Sequence, residues 1–128
     1  MKYVLTLTTE QTKAVRNAVE FLMRMKIGQF DQIPYNVMDI GKEDFWKKRD
    51  MASPYLRKLE RIFWPRSIDI KKDESWYILY NIFQVVRKAI HDVEAPETTG
   101  VSSYPPMDIY GCGMPEIEIK MEEGEEKA

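Results

Sequence analysis

Cysteine and histidine each occur once in the 128 residues, as Cys112 and His91. One thiol excludes an internal disulfide framework and fits a reducing compartment. With a single His and a single Cys there is no zinc-type ligand cluster, and no HExxH, P-loop or GxGxxG pattern occurs. Metal hydrolysis and Walker-type nucleotide chemistry therefore have no motif, and neither a metal nor a cofactor is expected. Long apolar runs are missing too. None approaches the roughly 20 residues of a membrane span, and the opening MKYVLTLT has one lysine but no extended apolar stretch of a secretory signal. The expectation is a cytoplasmic protein with no membrane partner.

What remains is a chain 44% hydrophobic and 31% charged, the balance of a soluble globular domain. Residues 1–121 read as one domain, and the Glu-rich residues 122–128 as an acidic, frayed tail. The net charge of −2 hides an asymmetry. Residues 42–72 carry ten Lys/Arg against five Asp/Glu, whereas residues 73–128 carry four against twelve. A basic middle and an acidic end attract each other within one molecule or between subunits, and the basic segment also suits an anionic ligand.

The strongest helical signal runs from Asp73 to Val93. Asp73 is a natural N-cap, and Trp76, Leu79, Phe83, Val86 and Ile90 recur at three- and four-residue steps, joined by Ile82 and Ala89. Tyr77, Tyr80, Gln84, Arg87, Lys88 and His91 fall on the other faces. Residues 2–8 alternate as a half-buried strand would. Thr8 with Gln11 fits a capping box, with Thr9 as a competing N-cap, for a helix from about Glu10 to Ile27, whose stripe is Val15, Ala18, Val19, Leu22 and Met25, widened by Phe21 and Met23, and whose terminator is Gly28. The stretch from Gln29 to Asp50 reads as a partly helical loop packed down by Phe30, Ile33, Val37 and Ile40, with a short helix beginning near Lys42 or Glu43 and including Phe45 and Trp46. Ser53-Pro54 reads as the start of a further helix that Trp64-Pro65 stops. Ile68 and Ile70 suggest a brief extended segment. Glu116 to Met121 alternates again and reads as a terminal strand able to pair with residues 2–8. The expected fold class is α+β, a small antiparallel sheet from both termini packed on three main helices.

Catalysis finds little footing. His91 lies near a helix C-terminus, where the dipole favours a cationic cap over a general base. Cys112 sits between two glycines with no neighbouring base. No enzyme is expected, a small hydrolase using His91 or Cys112 being the outside alternative. Binding is better served. Arg57, Lys58 and Arg61, with Arg66, Lys71 and Lys72 nearby, offer cations to phosphates. Tyr55, Trp64, Trp76, Tyr77, Tyr80 and Phe83 offer faces for stacking on bases, although the same aromatics equally serve a core. A long nucleic acid would call for a more basic chain, so a small nucleotide is the expected ligand. A second candidate surface gathers Arg24, Lys26, Gln29 and Phe30 around Gly28.

The segments LTLTTEQ, FLMRMKIGQF, YILYNIFQVVRKAI and YPPM…MPEIEI resemble a family of small phage-encoded proteins. The layout is similar to anti-Thoeris sponge proteins, which sequester cyclic ADP-ribose-like signals of bacterial immunity. That resemblance implies a non-enzymatic, homo-oligomeric phage anti-defence protein whose arginines grip phosphates while aromatics stack on a base. The residues so singled out are Arg57, Arg61, Trp76, Tyr80, Phe83, Arg87, Arg24 and Gln29. The alternative is a phage accessory protein that inhibits a host enzyme or defence effector through its acidic C-terminal half.

Overall fold

A computed structural model of the chain describes residues 1–66 and 73–121. Four helices follow one another: α1 (Thr9–Lys26), α2 (Ile33–Val37, entered through a 3-10 turn at Phe30–Gln32), α3 (Phe45–Phe63) and α4 (Glu74–Glu94). A further 3-10 turn lies at Val101–Ser103.

The expected α+β fold is overturned. Helical residues make up 60% of the described chain, and it contains no strand. Residues 2–7 and 115–121 lack the helical hydrogen-bond pattern, as their alternation suggests, but neither segment makes a backbone hydrogen bond among the described residues. They meet only where Lys2 Nζ lies 3.8 Å from a Glu116 carboxylate oxygen, both side chains about nine-tenths exposed. Neither segment has a well-covered face: Tyr3 and Val4 are over 89% exposed, and Ile117, Ile119 and Met121 are only about half covered. An isolated two-stranded ribbon without a covered face is marginal in water, so alternation alone does not make a sheet.

α1 begins as its sequence dictates. The Thr8 hydroxyl accepts from the Gln11 amide at 3.2 Å, and the Gln11 side chain accepts from the Thr8 amide at 2.9 Å, closing a reciprocal cap. It ends in a left-handed Gly28 at φ 78°. The Gly28 amide donates to Met25 and the Gln29 amide to Arg24, the paired bonds that absorb a helix's last carbonyls. α4 starts with the Asp73 carboxylate accepting from the Trp76 amide at 2.9 Å. α1 and α4 lie antiparallel, with Lys13 against Glu94 (2.6 Å) at one end and Lys26 near Asp73 (3.9 Å) at the other. Their seam is the core: Val19, Met23 and Ile27 of the first helix and its cap meet Trp76, Leu79, Tyr80 and Phe83. Met23 rather than Leu22 is the buried residue of α1; Leu22 and Met25 face a neighbouring groove instead.

The Ser53-Pro54 start is a second correction. Both residues lie inside a single 19-residue helix that runs from Phe45 through Pro54 to the Trp64 cap. Proline there removes one intrahelical donor at position 54, a cost that tertiary packing on one face of α3 offsets. That face consists of Phe45, Arg49, Ser53, Leu56 and Glu60 at helical spacing, and it rests on residues 30–37. Phe45 is almost wholly buried beside Tyr35, and the Phe30 amide donates to Glu60. Of the four residues expected to pin the 29–50 stretch, Phe30 and Ile33 are partly buried, whereas Val37 and Ile40 are exposed. The readings of Ile68 and Ile70 as extended and of residues 122–128 as a frayed tail lie outside the described residues, as do Lys71 and Lys72.

Candidate ligand site

The eight residues expected to bind a ligand do not converge. On α4, Trp76 and Phe83 are core residues, each less than a tenth exposed. Trp76 stacks on Tyr80 with ring centroids 5.3 Å apart and planes 8° from parallel. The Arg87 guanidinium sits 4.9 Å above the Phe83 ring, a cation–π contact within the protein. At the end of α1, Arg24 donates to Gln29 at 2.8 Å and to Glu20 at 3.3 Å, so this pair closes the helix end. Each of these residues already spends its chemistry on a neighbour. Arg61 is exposed on α3 and faces no described hollow.

Arg57 stands apart from them. It lines a hollow of about 300 Å³ between α3 and residues 31–35, with Asp31, Tyr35, Arg49, Asp50 and Ser53 supplying most of the polar lining and Pro34 and Leu56 the apolar part. Arg49 is held firmly. It donates to the Tyr35 hydroxyl at 3.1 Å and to Asp50 at 2.6 Å, and its guanidinium lies 4.7 Å above the Trp46 ring. The Tyr35 hydroxyl first, and then Asp50, favour the charged form of Arg49 still further. Asp50 thus offsets Arg49, and Arg57 is the cation left in the hollow with no ion pair among the described residues. Asp31 is the remaining carboxylate. A lining with one uncommitted cation, one uncommitted carboxylate and an aromatic wall can grip a phosphate at one point and accept N–H or O–H donors at another.

Arg49, Ser53 and Tyr35 were missed from sequence. Arg49, Ser53 and Arg57 recur every four residues, so one continuous helix would have put them on one face. Reading Ser53-Pro54 as a break concealed that.

A second, larger groove of about 420 Å³ is open and mostly apolar, lined by Leu22, Met25, Lys26, Phe30, Phe63 and Trp64. Phe30, Phe63 and Trp64 meet edge-on there, with centroids 5.4 to 6.0 Å apart. Of the four residues expected around Gly28, Lys26 and Phe30 reach this groove.

The two candidate catalytic side chains have structural partners. His91 Nε2 lies 3.0 Å from both the carbonyl and the hydroxyl oxygen of Thr98, and Nδ1 is 3.3 Å from Asp92. The ring therefore ties the turn after α4 back onto the helix. Cys112 Sγ lies 3.2 Å from the Asn81 amide nitrogen and is half-buried. No group of three His, Cys, Asp or Glu side chains among the described residues is arranged to hold a metal, and no helix there is long and apolar enough to cross a membrane.

Set against known proteins, the chain matches no family model, no curated protein and no solved structure.

Proposed function

We propose that this chain is a non-enzymatic phage anti-defence protein that sequesters a small nucleotide immune signal, cyclic ADP-ribose-like or a cyclic oligonucleotide, in the hollow beside Arg57. The observation that carries the reading is Arg57 itself, a guanidinium with no ion pair among the described residues that lines a concave site whose other arginine is already neutralised. Arg57 takes a phosphate, Tyr35 offers its ring to a base, and Asp31 accepts from a ribose hydroxyl or a base amino group. The mixed sign of the lining favours a nucleotide over free phosphate, because a bare anion would meet Asp31 with nothing to offer it. The phage setting rests on the resemblance of the sequence segments, and the hollow supplies the binding chemistry.

The test is native mass spectrometry of protein purified from cells, followed by calorimetric titration with cyclic ADP-ribose isomers and cyclic di- and trinucleotides. A bound mass released chemically unchanged on denaturation is the expected result. Arg57→Ala weakens that binding by about 1.5–3 kcal/mol, or roughly 10- to 150-fold. Failure of every nucleotide to bind the native chain overturns the function, and unchanged affinity in the variant removes the hollow as the site.

A further inference from the structure

The hollow beside Arg57 has two walls of different chemistry. α3 contributes Arg49, Ser53 and Arg57, one turn apart along the helix. Across from them the 3-10 turn at Phe30–Gln32 contributes Asp31, with Pro34 and Tyr35 following it. Arg49 and Asp50 answer each other at 2.6 Å. The Asp31 carboxylate forms no ion pair and no hydrogen bond among the described residues, and the Ser53 hydroxyl forms no hydrogen bond there. What is left to meet a ligand is a cation and a hydroxyl on one wall and a pair of acceptor oxygens on the other. A volume of about 300 Å³ is at the small end of ligand pockets, so the hollow takes one nucleotide unit of a signal rather than two.

We infer that Asp31 is the specificity-determining residue of this hollow and that the base it selects is guanine, an inference that rests on the nucleotide reading and narrows it. A carboxylate only accepts, and its two oxygens suit two parallel N–H groups. Guanine carries such a pair on one edge, N1–H beside the N2 amino group. Adenine sets one N6–H beside the bare N1 lone pair, and cytosine one N4–H beside the bare N3. Either would turn a lone pair on a carboxylate oxygen and leave one acceptor unmet. The phosphate of the same nucleotide goes to Arg57 and the Ser53 hydroxyl on the α3 wall, and Tyr35, Pro34 and Leu56 bound the base between the walls. Of the two signal classes, this selects a guanine-bearing cyclic oligonucleotide over cyclic ADP-ribose, whose base is adenine.

Calorimetric titration of the full chain with GMP, IMP and AMP, and with cyclic di-GMP and cyclic di-AMP, tests it. The native chain binds GMP roughly 5- to 150-fold more tightly than AMP, the discrimination of one bidentate base contact. IMP, which keeps N1–H but lacks the amino group, falls between them, and the cyclic dinucleotides follow the guanine-over-adenine order. Asp31→Asn, at an exposed position, keeps the far-UV helical signal and presents one acceptor beside one donor, the complement of adenine. It brings AMP level with GMP or above it. Losing the negative charge also tightens every nucleotide alike, so the ratio is the readout. Arg57→Ala weakens GMP and AMP in proportion and leaves their ratio unchanged. Nucleotides that bind the native chain without a guanine preference, or a preference that Asp31→Asn leaves intact, overturn the inference while the nucleotide reading stands. A chain that binds no nucleotide overturns both.

Discussion

Asn81 is the residue that most changes the understanding of α4. It is 1% exposed on a helix whose other buried positions are nearly all apolar, and its amide nitrogen faces three acceptors: the Gly113 carbonyl at 2.7 Å, an Asp108 carboxylate oxygen at 2.9 Å and Cys112 Sγ at 3.2 Å. An amide has two N–H groups, so these contacts are shared. Asn81→Leu keeps the volume and deletes the donor, leaving the Gly113 carbonyl and Asp108 without it in a half-buried place. The expected cost is about 2–3 kcal/mol, read as a shift in urea midpoint at unchanged slope. Sequence periodicity could not have marked Asn81, because its partners are coil residues 27 to 32 positions away. Arg57, by contrast, follows from chemistry alone, and it is a candidate cation that both lacks an ion pair among the described residues and lines a hollow.

At the scale of elements, local signals served the helix ends well and the helix middle poorly. Thr8, Gln11, Gly28 and Asp73 act on backbone groups within five residues of themselves, so their roles are written in the nearby sequence. Gly28 is the sharpest case, being buried at φ 78° between two helix-closing bonds. Gly28→Ala forces a side chain into the left-handed region and costs about 1–2 kcal/mol, measurable as a lower thermal midpoint. Ser53-Pro54 shows the reverse. The pair has the local chemistry of a helix start, but the packing of Phe45 on one side and of Leu56 and Glu60 on the other carries the helix straight through it. Tertiary burial overrode the punctuation, and with it went the face that links Arg49 to Arg57. The terminal segments failed for a related reason: alternation reports a face available for burial, and neither segment's face is well covered.

For the whole molecule, acid is the informative variable. Hydrogen bonds and charges lower the pKa of four carboxylates below the ordinary 3.8: Asp44 through Lys48, Asp73 through the Ser75 hydroxyl and Trp76 amide, Asp92 through Lys88, and Asp108 through Asn81 and the Gly113 amide. A carboxyl that is more acidic folded than unfolded contributes stability above its unfolded pKa and loses it as pH falls through the folded value. The thermal midpoint is therefore expected to hold steady from neutral pH down to about 5 and to decline below about 4. A midpoint that rose on acidification would contradict these carboxylate contacts. The charge asymmetry along the chain was legible in composition. That the alternating C-terminal segment stays half covered became visible only in the folded chain.

Gln84 makes one arrangement that no ladder supplies. Its side-chain oxygen accepts from the Met107 amide at 3.0 Å while its nitrogen donates to the Met107 carbonyl at 2.9 Å, the two bonds a neighbouring strand would otherwise form. A protein with no sheet among its described residues thus carries a single rung, with a helix side chain as one upright and a coil as the other. Around it Tyr110 stacks on Tyr77 at 3.9 Å, and Asp108 gathers the Cys112 and Gly113 amides. These side-chain contacts pin the coil from 104 to 113 to one face of α4. A protease must thread extended backbone, so cleavage in this coil is expected to follow the release of those contacts.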